Sequence, residues 1–220
     1  MIGFILSKLN LLILVTAIFA IVAYFSFWLG DQMVSQQAQQ IINRFSRNAG
    51  NIIHAPNQCN ITSLTIPTWI EFFGNLETGN RFFYLLEISK LENVPTASGS
   101  GTINNLIVSV IDKKRQRVIA AKALGTTSAI RLFKWSPKDD IFEETMPPGK
   151  NTVLNPQSAP LKTDTVYLVK EIYHGDSFFY VVPCSSEAHS CEANLEKLGA
   201  IIAGERSGVS ACVAAGAPQP

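Results

Sequence analysis

The sequence predicts an α+β fold in which a long N-terminal helix packs on an antiparallel β-sheet head and a shorter helix lies near the C-terminus. Three observations support this prediction. An uncharged apolar block near the N-terminus runs into an amphipathic helical pattern. Strand-like segments separated by turn residues begin near residue 61, and helical spacing returns at 187–203.

The composition indicates a folded chain with a membrane connection. Of the 220 residues, 47% are hydrophobic and only 16% are charged, which is too apolar and too uncharged for intrinsic disorder. The 18 Lys+Arg and 17 Asp+Glu residues nearly cancel, so no overall field attracts nucleic acid and a nucleic-acid partner is not expected. The clustering of apolar residues at the N-terminus excludes an ordinary cytosolic enzyme.

The apolar block at 9–29 predicts a transmembrane helix. It carries no charged residue, and its length at 1.5 Å per residue is roughly 31 Å, close to the thickness of a bilayer hydrocarbon core. Tyr24 and Trp28 lie near its C-terminal end, where aromatic rings settle at headgroup level. Because the apolar core of a secretory signal is shorter, an uncleaved anchor in contact with membrane lipid is the better interpretation.

The flanking charges predict the orientation of this helix. Lys8 and the α-amino group precede it, whereas Asp31 follows it and the next basic residue is Arg44. The positive-inside rule therefore places residues 1–8 in the cytoplasm and everything after the helix outside the membrane. The expected location is the cell membrane, with a single pass.

The segment 30–55 predicts an amphipathic continuation of the same helix. Apolar residues recur at three- and four-residue steps between Val34 and Ile53, with amides and arginines between them, and Pro56 ends the pattern. We expect this apolar stripe to pack on the chain's own head. The alternative is a coiled-coil stalk.

The segment 56–204 predicts a β-rich extracytoplasmic domain that ends in a helix. Predicted strands cover 61–66, 81–91, 106–112, 117–124, 129–135, 165–173 and 177–183. Sequential neighbours are expected to pair antiparallel, including two hairpins with turns at 113–116 and 174–176. The proline-containing stretch 146–164 is predicted to be a long surface loop, Gly204 to stop the last helix, and 205–220 to be a flexible tail.

All four cysteines follow the predicted anchor, which indicates two disulfides in an oxidising compartment. The sequence favours Cys59–Cys184 with Cys191–Cys212, because these bridges would tie the long helix to the last strand and fix the tail. A local Cys184–Cys191 bridge is the alternative. A metal site that includes His189 is less favoured, because the spacing lacks paired C-x2-C ligands.

Two further motifs involve the outer side and the membrane helix. Asn60 begins an N-x-T glycosylation sequon in a predicted exposed turn. The membrane helix carries small residues at three- and four-residue spacing, which allow close helix–helix approach in lipid. This predicted packing face consists of Thr16, Ala17, Ala20 and Ala23.

The N-terminal region resembles the type IV pilins, with archaeal pilin-like proteins the nearest in character. The resemblance covers about the first 55 residues and the general order of elements after them: Gly3-Phe4 before a long apolar helix, an amphipathic continuation, and a sheet against it. It implies a processing junction at Gly3-Phe4 and self-association through the helix. Only Met1 and Ile2 precede the glycine, and Lys8 stands where pilin signals usually carry Glu, so cleavage and filament assembly stay open.

The sequence contains no recognisable catalytic, cofactor-binding or metal-binding motif. Its three histidines fall outside known patterns, and its neighbouring carboxylates read as solvated charge. The residues weighed were His54, His174, His189, Asp139, Asp140, Glu143 and Glu144. The dense basic run at 113–117 is interpreted as a solubilising hairpin tip; its alternative is contact with phosphates or anionic glycans.

These observations predict a structural or interaction protein of the cell surface rather than an enzyme. The leading hypothesis is a pilin-like subunit of a filament or surface apparatus, which would associate with copies of itself or with other subunits. The alternative is a solitary single-pass anchor that carries a binding or sensory domain. A third alternative is an extracytoplasmic enzyme whose site residues are scattered along the sequence.

Overall fold

The computed structural model describes residues 2–71, 81–96, 101–136, 138–145, 151–157, 162–187 and 190–205, without the side chains of 2–7 and 27. These residues form two helices and eleven strands, an α+β fold as the sequence predicts. The helices are α1 (Ile2–Ile53) and α2 (Ser190–Glu205). The strands are β1 (Cys59–Thr65), β2 (Ile70–Glu71), β3 (Arg81–Phe82), β4 (Tyr84–Pro95), β5 (Thr102–Asp112), β6 (Val118–Thr126), β7 (Ala129–Ser136), β8 (Ile141–Glu144), β9 (Thr152–Leu154), β10 (Thr165–Tyr173) and β11 (Asp176–Cys184).

Helix α1 is continuous over 52 residues, which corresponds to about 78 Å. It contains no proline, and Gly30 lies within it without interrupting the helical assignment. The helix ends at Ile53, three residues before Pro56, as expected for a chain that cannot continue a helix through proline. One element therefore joins the apolar N-terminal segment to the head.

The head contains a five-stranded sheet and a four-stranded sheet. The strand order is β1-β10-β11-β7-β8 in the first and β6-β5-β4-β9 in the second, and β2 pairs separately with β3. Both predicted hairpins are present, β5 with β6 and β10 with β11. The β10–β11 turn uses Gly175 at φ 91°, a conformation that glycine adopts without a steric penalty.

The main core lies between α1 and the inner faces of both sheets. The stripe on α1 is buried from Val34 to Ile53, and Ala38, Ile42 and Phe45 are fully inaccessible to solvent. The same cluster includes inward side chains of the two sheets, such as Leu168 and Val108. Helix α1 contacts β5 and β6 of one sheet and β1 and β10 of the other, so it packs across the inner faces of both sheets.

A second core covers the opposite face of the five-stranded sheet. Leu195, Leu198 and Ile202 of α2 pack there against Val169, Tyr180 and other side chains from β7, β10 and β11. With both faces covered, β10 and β11 are buried along most of their length rather than at alternate positions.

The structure corrects four details of the predicted topology. The predicted strand 81–91 is divided at Phe83 into β3 and β4. The predicted surface loop 146–164 contains β9, which pairs with β4 and buries Leu154. Strand β11 pairs parallel with β7, not only antiparallel with its neighbour in sequence. Helix α2 continues through Gly204 to Glu205, whose carboxylate is held by Arg131.

A buried lysine closes the C-terminal end of α1. The Lys170 ammonium, on β10, donates to the carbonyl oxygens of Ile53 at 2.8 Å and Ala55 at 2.5 Å. The last carbonyls of a helix have no partner inside it, and a cation near them also complements the helix dipole. Lys170 therefore joins the end of α1 to the five-stranded sheet.

Candidate functional site

The N-terminal half of α1 projects from the head as an exposed apolar rod. The helix is long and apolar enough to cross a membrane, and none of its most apolar 18-residue window is buried within the structure. Side chains such as Leu11, Phe19 and Tyr24 are more than 60% exposed. Because a helix that is apolar all round needs an apolar surrounding, this segment is the strongest candidate for a functional surface.

Two hydroxyl groups of this segment are hydrogen-bonded as an apolar environment requires. The Thr16 hydroxyl donates to the carbonyls of Leu12 at 3.0 Å and Ile13 at 2.9 Å, and Ser26 donates to Val22 at 2.8 Å. These hydroxyls are satisfied within the helix and need no water.

The predicted packing face and the predicted processing junction both lie on α1. Thr16, Ala17, Ala20 and Ala23 are all exposed on the projecting half, where a second helix could reach them. Gly3-Phe4 lies in the first turn of α1, and its side chains are outside the described residues.

The boundary between the projecting half and the head is sharp. Among the α1 residues whose side chains are described, Gly30 is the first that is buried, and buried positions then recur at Val34 and Ala38. The change coincides with Asp31, the first acidic residue of the chain. The predicted end of the apolar segment near residue 29 therefore matches the point at which α1 enters the head.

The favoured disulfide pairing is wrong, and the local alternative is present. Cys184 at the end of β11 bonds to Cys191 in the first turn of α2, with Cα atoms 4.9 Å apart. Cys184 lies opposite Thr165, which pairs with Thr65, so Cys59 is six residues further along the sheet. That separation is about 20 Å, far beyond the reach of a disulfide.

The other two cysteines and the metal site that was weighed can now be compared with this pairing. Cys59 is also disulfide-bonded, and the described residues contain no free cysteine; Cys212 lies outside them. His189, the third member of the weighed metal site, lies outside them as well. The described residues contain no cluster of potential metal ligands, and Cys184 and Cys191 have no thiolate to offer a metal while they are joined.

The glycosylation sequon lies in a strand rather than in the predicted turn. Asn60 is the second residue of β1, opposite Lys170, and is half-buried. Strand β1 extends further toward the N-terminus than expected because its pairing with β10 continues to Cys59.

Three of the four carboxylates considered for catalysis pair with basic residues, and the fourth, Asp139, accepts a hydrogen bond from the Ser136 hydroxyl at 3.1 Å. Arg131 binds both Glu144 and Glu205, and these bonds raise the pKa of its guanidinium. A hydrogen bond from Lys197, with a second from Trp135, holds the pKa of Asp140 below its usual range. These contacts fasten α2 across β7 and β8.

The remaining candidate residues lie apart from one another. His54 is exposed just beyond α1, and His174 lies in the β10–β11 turn with its ring 4.2 Å from that of Tyr173. The predicted hairpin tip at 113–117 is present as a turn. Asp112 organises it by accepting hydrogen bonds from the backbone N–H groups of Lys114 and Arg115.

A cleft between α1 and β1 was not predicted from the sequence. Two adjoining cavities, of about 220 and 590 Å³, share Gln40, Arg44 and Leu64 in their walls. Ile41 and Trp69 line the end nearer the membrane segment, and Arg47 and Ser63 line the other end. The spacing of Arg44 and Arg47 on the polar face of α1 could have indicated a charged surface here. The strand pairing that places β1 opposite them could not be predicted from the sequence.

The chain matches no protein-family model, curated protein or solved structure.

Proposed function

We propose that the protein is a membrane-anchored surface protein with a structural or interaction role, in which α1 holds an extracytoplasmic head to the membrane. The observation that carries this proposal is the division of α1 at Gly30. One continuous helix has an exposed apolar half and a half that belongs to the head core. A rigid connection of this kind suits a head that must be held at a fixed position relative to its anchor.

The specific form we propose is a pilin-like subunit whose projecting helix packs against copies of itself or against other subunits. The exposed small-residue face and the internally bonded hydroxyl of Thr16 support close helix packing in an apolar environment. The second candidate is a solitary anchor. Lys8 favours it, because a cation near the start of the helix stabilises an anchor in the cytoplasmic headgroup region.

N-terminal sequencing of the mature protein, purified from its native membrane, distinguishes these forms. A pilin-like subunit should begin at Phe4, because processing at Gly3-Phe4 removes the first three residues. Substitution of Gly3 by a bulky residue should then block processing. An N-terminus that retains the Met1 region in both proteins would exclude the pilin-like form and support the solitary anchor.

A further inference from the structure

Strand β1 is an open edge of the five-stranded sheet. It pairs with β10, and no other described strand pairs with it. Ile66 N donates to Asp164 O at 2.7 Å and Ile172 N donates to Gln58 O at 2.8 Å, which continue the β1–β10 register at both ends. Bonded and non-bonded pairs alternate in an antiparallel ladder, so the even-numbered residues of β1 bond to β10.

The odd-numbered residues of β1 therefore direct their backbone groups away from the sheet. Ile61, Ser63 and Thr65 present unpaired N–H and C=O groups along the free edge, with no backbone partner among the described residues. Such an edge is a template for an additional strand. Ser63 and Thr65 line the two cavities, so this edge forms one wall of the cleft.

The facing wall carries two uncompensated positive charges. Arg44 and Arg47 are exposed, three residues apart on α1, and neither makes an ion pair or hydrogen bond within the described parts of the chain. Strand β1 contains no charged residue, and the other polar groups lining the cleft are amides and hydroxyls. The described residues that line the cleft therefore carry two positive charges and no negative charge.

One end of the cleft is apolar. Ile41, Ile66, Pro67, Trp69 and Ile70 line it together. The Trp69 indole N–H donates to Glu71 at 3.0 Å, and the Arg81 guanidinium lies 4.1 Å from its ring centroid. The ring is therefore held in place before any ligand arrives.

We propose that this cleft binds an extended acidic segment of a partner protein, which adds to the sheet as a strand beside β1. The unpaired backbone groups of Ile61, Ser63 and Thr65 supply the main-chain hydrogen bonds. Arg44 and Arg47 pair with acidic side chains of the segment, and the apolar end accepts a large apolar side chain two or more residues away. The segment length set by β1 is about five residues.

Charge complementarity and the open edge together favour a peptide over other anions. A polyanion such as a glycan or nucleic acid would use the arginines but leave the backbone groups of β1 unpaired. A neutral strand would use the edge but leave two arginines without partners in a half-enclosed cleft. An acidic strand would pair with the backbone groups of β1 and with both arginines. Binding of such a strand to the head does not depend on whether the protein is a pilin-like subunit or a solitary anchor.

The test uses the full chain in lipid nanodiscs and two fluorescein-labelled peptides, the acidic TVEVEIT and its basic counterpart TVKVKIT. Fluorescence anisotropy should give a Kd in the micromolar range for the acidic peptide, and about tenfold or weaker binding for the basic one. Amide hydrogen exchange, measured by NMR, should slow at Ile61, Ser63 and Thr65 when the acidic peptide is added. Exchange at Thr62 and Leu64 should not change, because their amides already bond to β10.

A matched pair of variants tests the charges. The double substitution Arg44→Glu with Arg47→Glu should weaken binding by about tenfold or more, since both arginines are exposed and make no ion pair with the residues that the structure describes. Lys114→Glu reverses an equally exposed charge in the β5–β6 turn and should leave the affinity unchanged. Circular dichroism of both variants should match that of the parent.

Three results would overturn the proposal. The first is a Kd above about 1 mM for the acidic peptide. The second is slow exchange at Ile61, Ser63 and Thr65 in the free protein, which would mean that the chain covers its own edge. The third is binding without any change in exchange on β1; if heparin then competes with the peptide, the arginines belong to a polyanion site.

Discussion

At the scale of single residues, buried polar side chains connect neighbouring elements of the head by hydrogen bonds. Lys170 closes the end of α1, and Asp164 joins the start of β10 to the segment after β11. The Asp164 carboxylate accepts hydrogen bonds from the backbone N–H of Ser186 at 2.9 Å and from its hydroxyl at 2.7 Å, and it pairs with Lys162 at 3.3 Å. Lys170 and Asp164 are almost inaccessible to solvent, and a buried polar group that loses its hydrogen-bond partners is costly.

Removing the Lys170 ammonium should destabilise the head. Lys170→Met keeps most of the side-chain volume but leaves the carbonyls of Ile53 and Ala55 without their partner, which should lower the free energy of unfolding by about 1.5–3 kcal/mol. Lys122→Met is the matched control. Lys122 is exposed and bonds Asn43 at 3.1 Å, so its loss should cost less than about 0.5 kcal/mol. Equal effects in urea denaturation would contradict the capping role.

Asp164 should give the stability a defined pH dependence. Burial alone would raise its pKa, but the two hydrogen bonds from Ser186 and the charge of Lys162 outweigh burial and hold the pKa below its usual range. The folded state therefore binds this proton less readily than the unfolded chain. Its stabilising contribution is present above about pH 4 and is lost as the pH falls through the folded-state pKa.

The variant Asp164→Asn isolates this contribution. It should be less stable than the parent at pH 7 by about 1–3 kcal/mol, because the two bonds from Ser186 go to different carboxylate oxygens and an amide keeps only one oxygen to accept them. The difference should shrink as the pH is lowered below about 4. Asp176→Asn, at the exposed start of β11, should show no such difference at either pH. A penalty for Asp164→Asn that stays constant down to pH 2.5 would contradict the assignment.

At the scale of elements, α1 is both a projecting rod and part of the head core. Its stripe from Val34 to Ile53 packs against the inner faces of both sheets. The coiled-coil alternative is therefore not needed to explain the apolar residues of this half, because the head already covers them. The head includes the helix from about Val34 onward.

Phe45 tests whether α1 stabilises the head. Its ring is fully buried in the main core, so Phe45→Ala should lower the free energy of unfolding by about 3–5 kcal/mol. Phe83→Ala removes the same ring from a position that is 48% exposed and should cost far less. Thermal unfolding of the full chain in nanodiscs gives both values. Similar losses would show that the head does not depend on the helix.

The elements that were predicted correctly from the sequence are those that depend on a local residue pattern. The three- and four-residue spacing of Val34, Ile42 and Phe45 is enough to define the buried face of α1, and Gly175 marks a hairpin turn. The parallel pairing of β7 with β11 and the position of Cys59 far from Cys184 depend on the register of strands distant in sequence. The cleft beside Arg44 was missed for the same reason.

At the scale of the whole molecule, the head is built around the C-terminal half of α1, and the N-terminal half projects from it with its apolar side chains exposed. Toward the C-terminus, the Cys184–Cys191 disulfide joins β11 to the first turn of α2. The bridge closes a short loop and positions α2 on the outer face of the five-stranded sheet.

Loss of this bridge should loosen α2 while leaving α1 in place. The double variant Cys184→Ala with Cys191→Ala should lose about 2–3 kcal/mol, the contribution of a short closed loop. Peptide mapping of the unreduced parent should recover Cys184 and Cys191 in one linked peptide, and Cys59 in another linkage. Recovery of a peptide joining Cys59 to Cys184 would contradict the register of β1, β10 and β11.

The central claim, that α1 holds the head outside the membrane, is tested most directly by labelling lysines in spheroplasts with a membrane-impermeant amine reagent. Lys114 is exposed on the head, and Lys8 precedes the apolar segment. Mass spectrometry should find the label on Lys114 before lysis and on Lys8 only after lysis. Label on Lys8 with protection of Lys114 would reverse the orientation, and protection of both until lysis would place the head inside the cell and contradict the account.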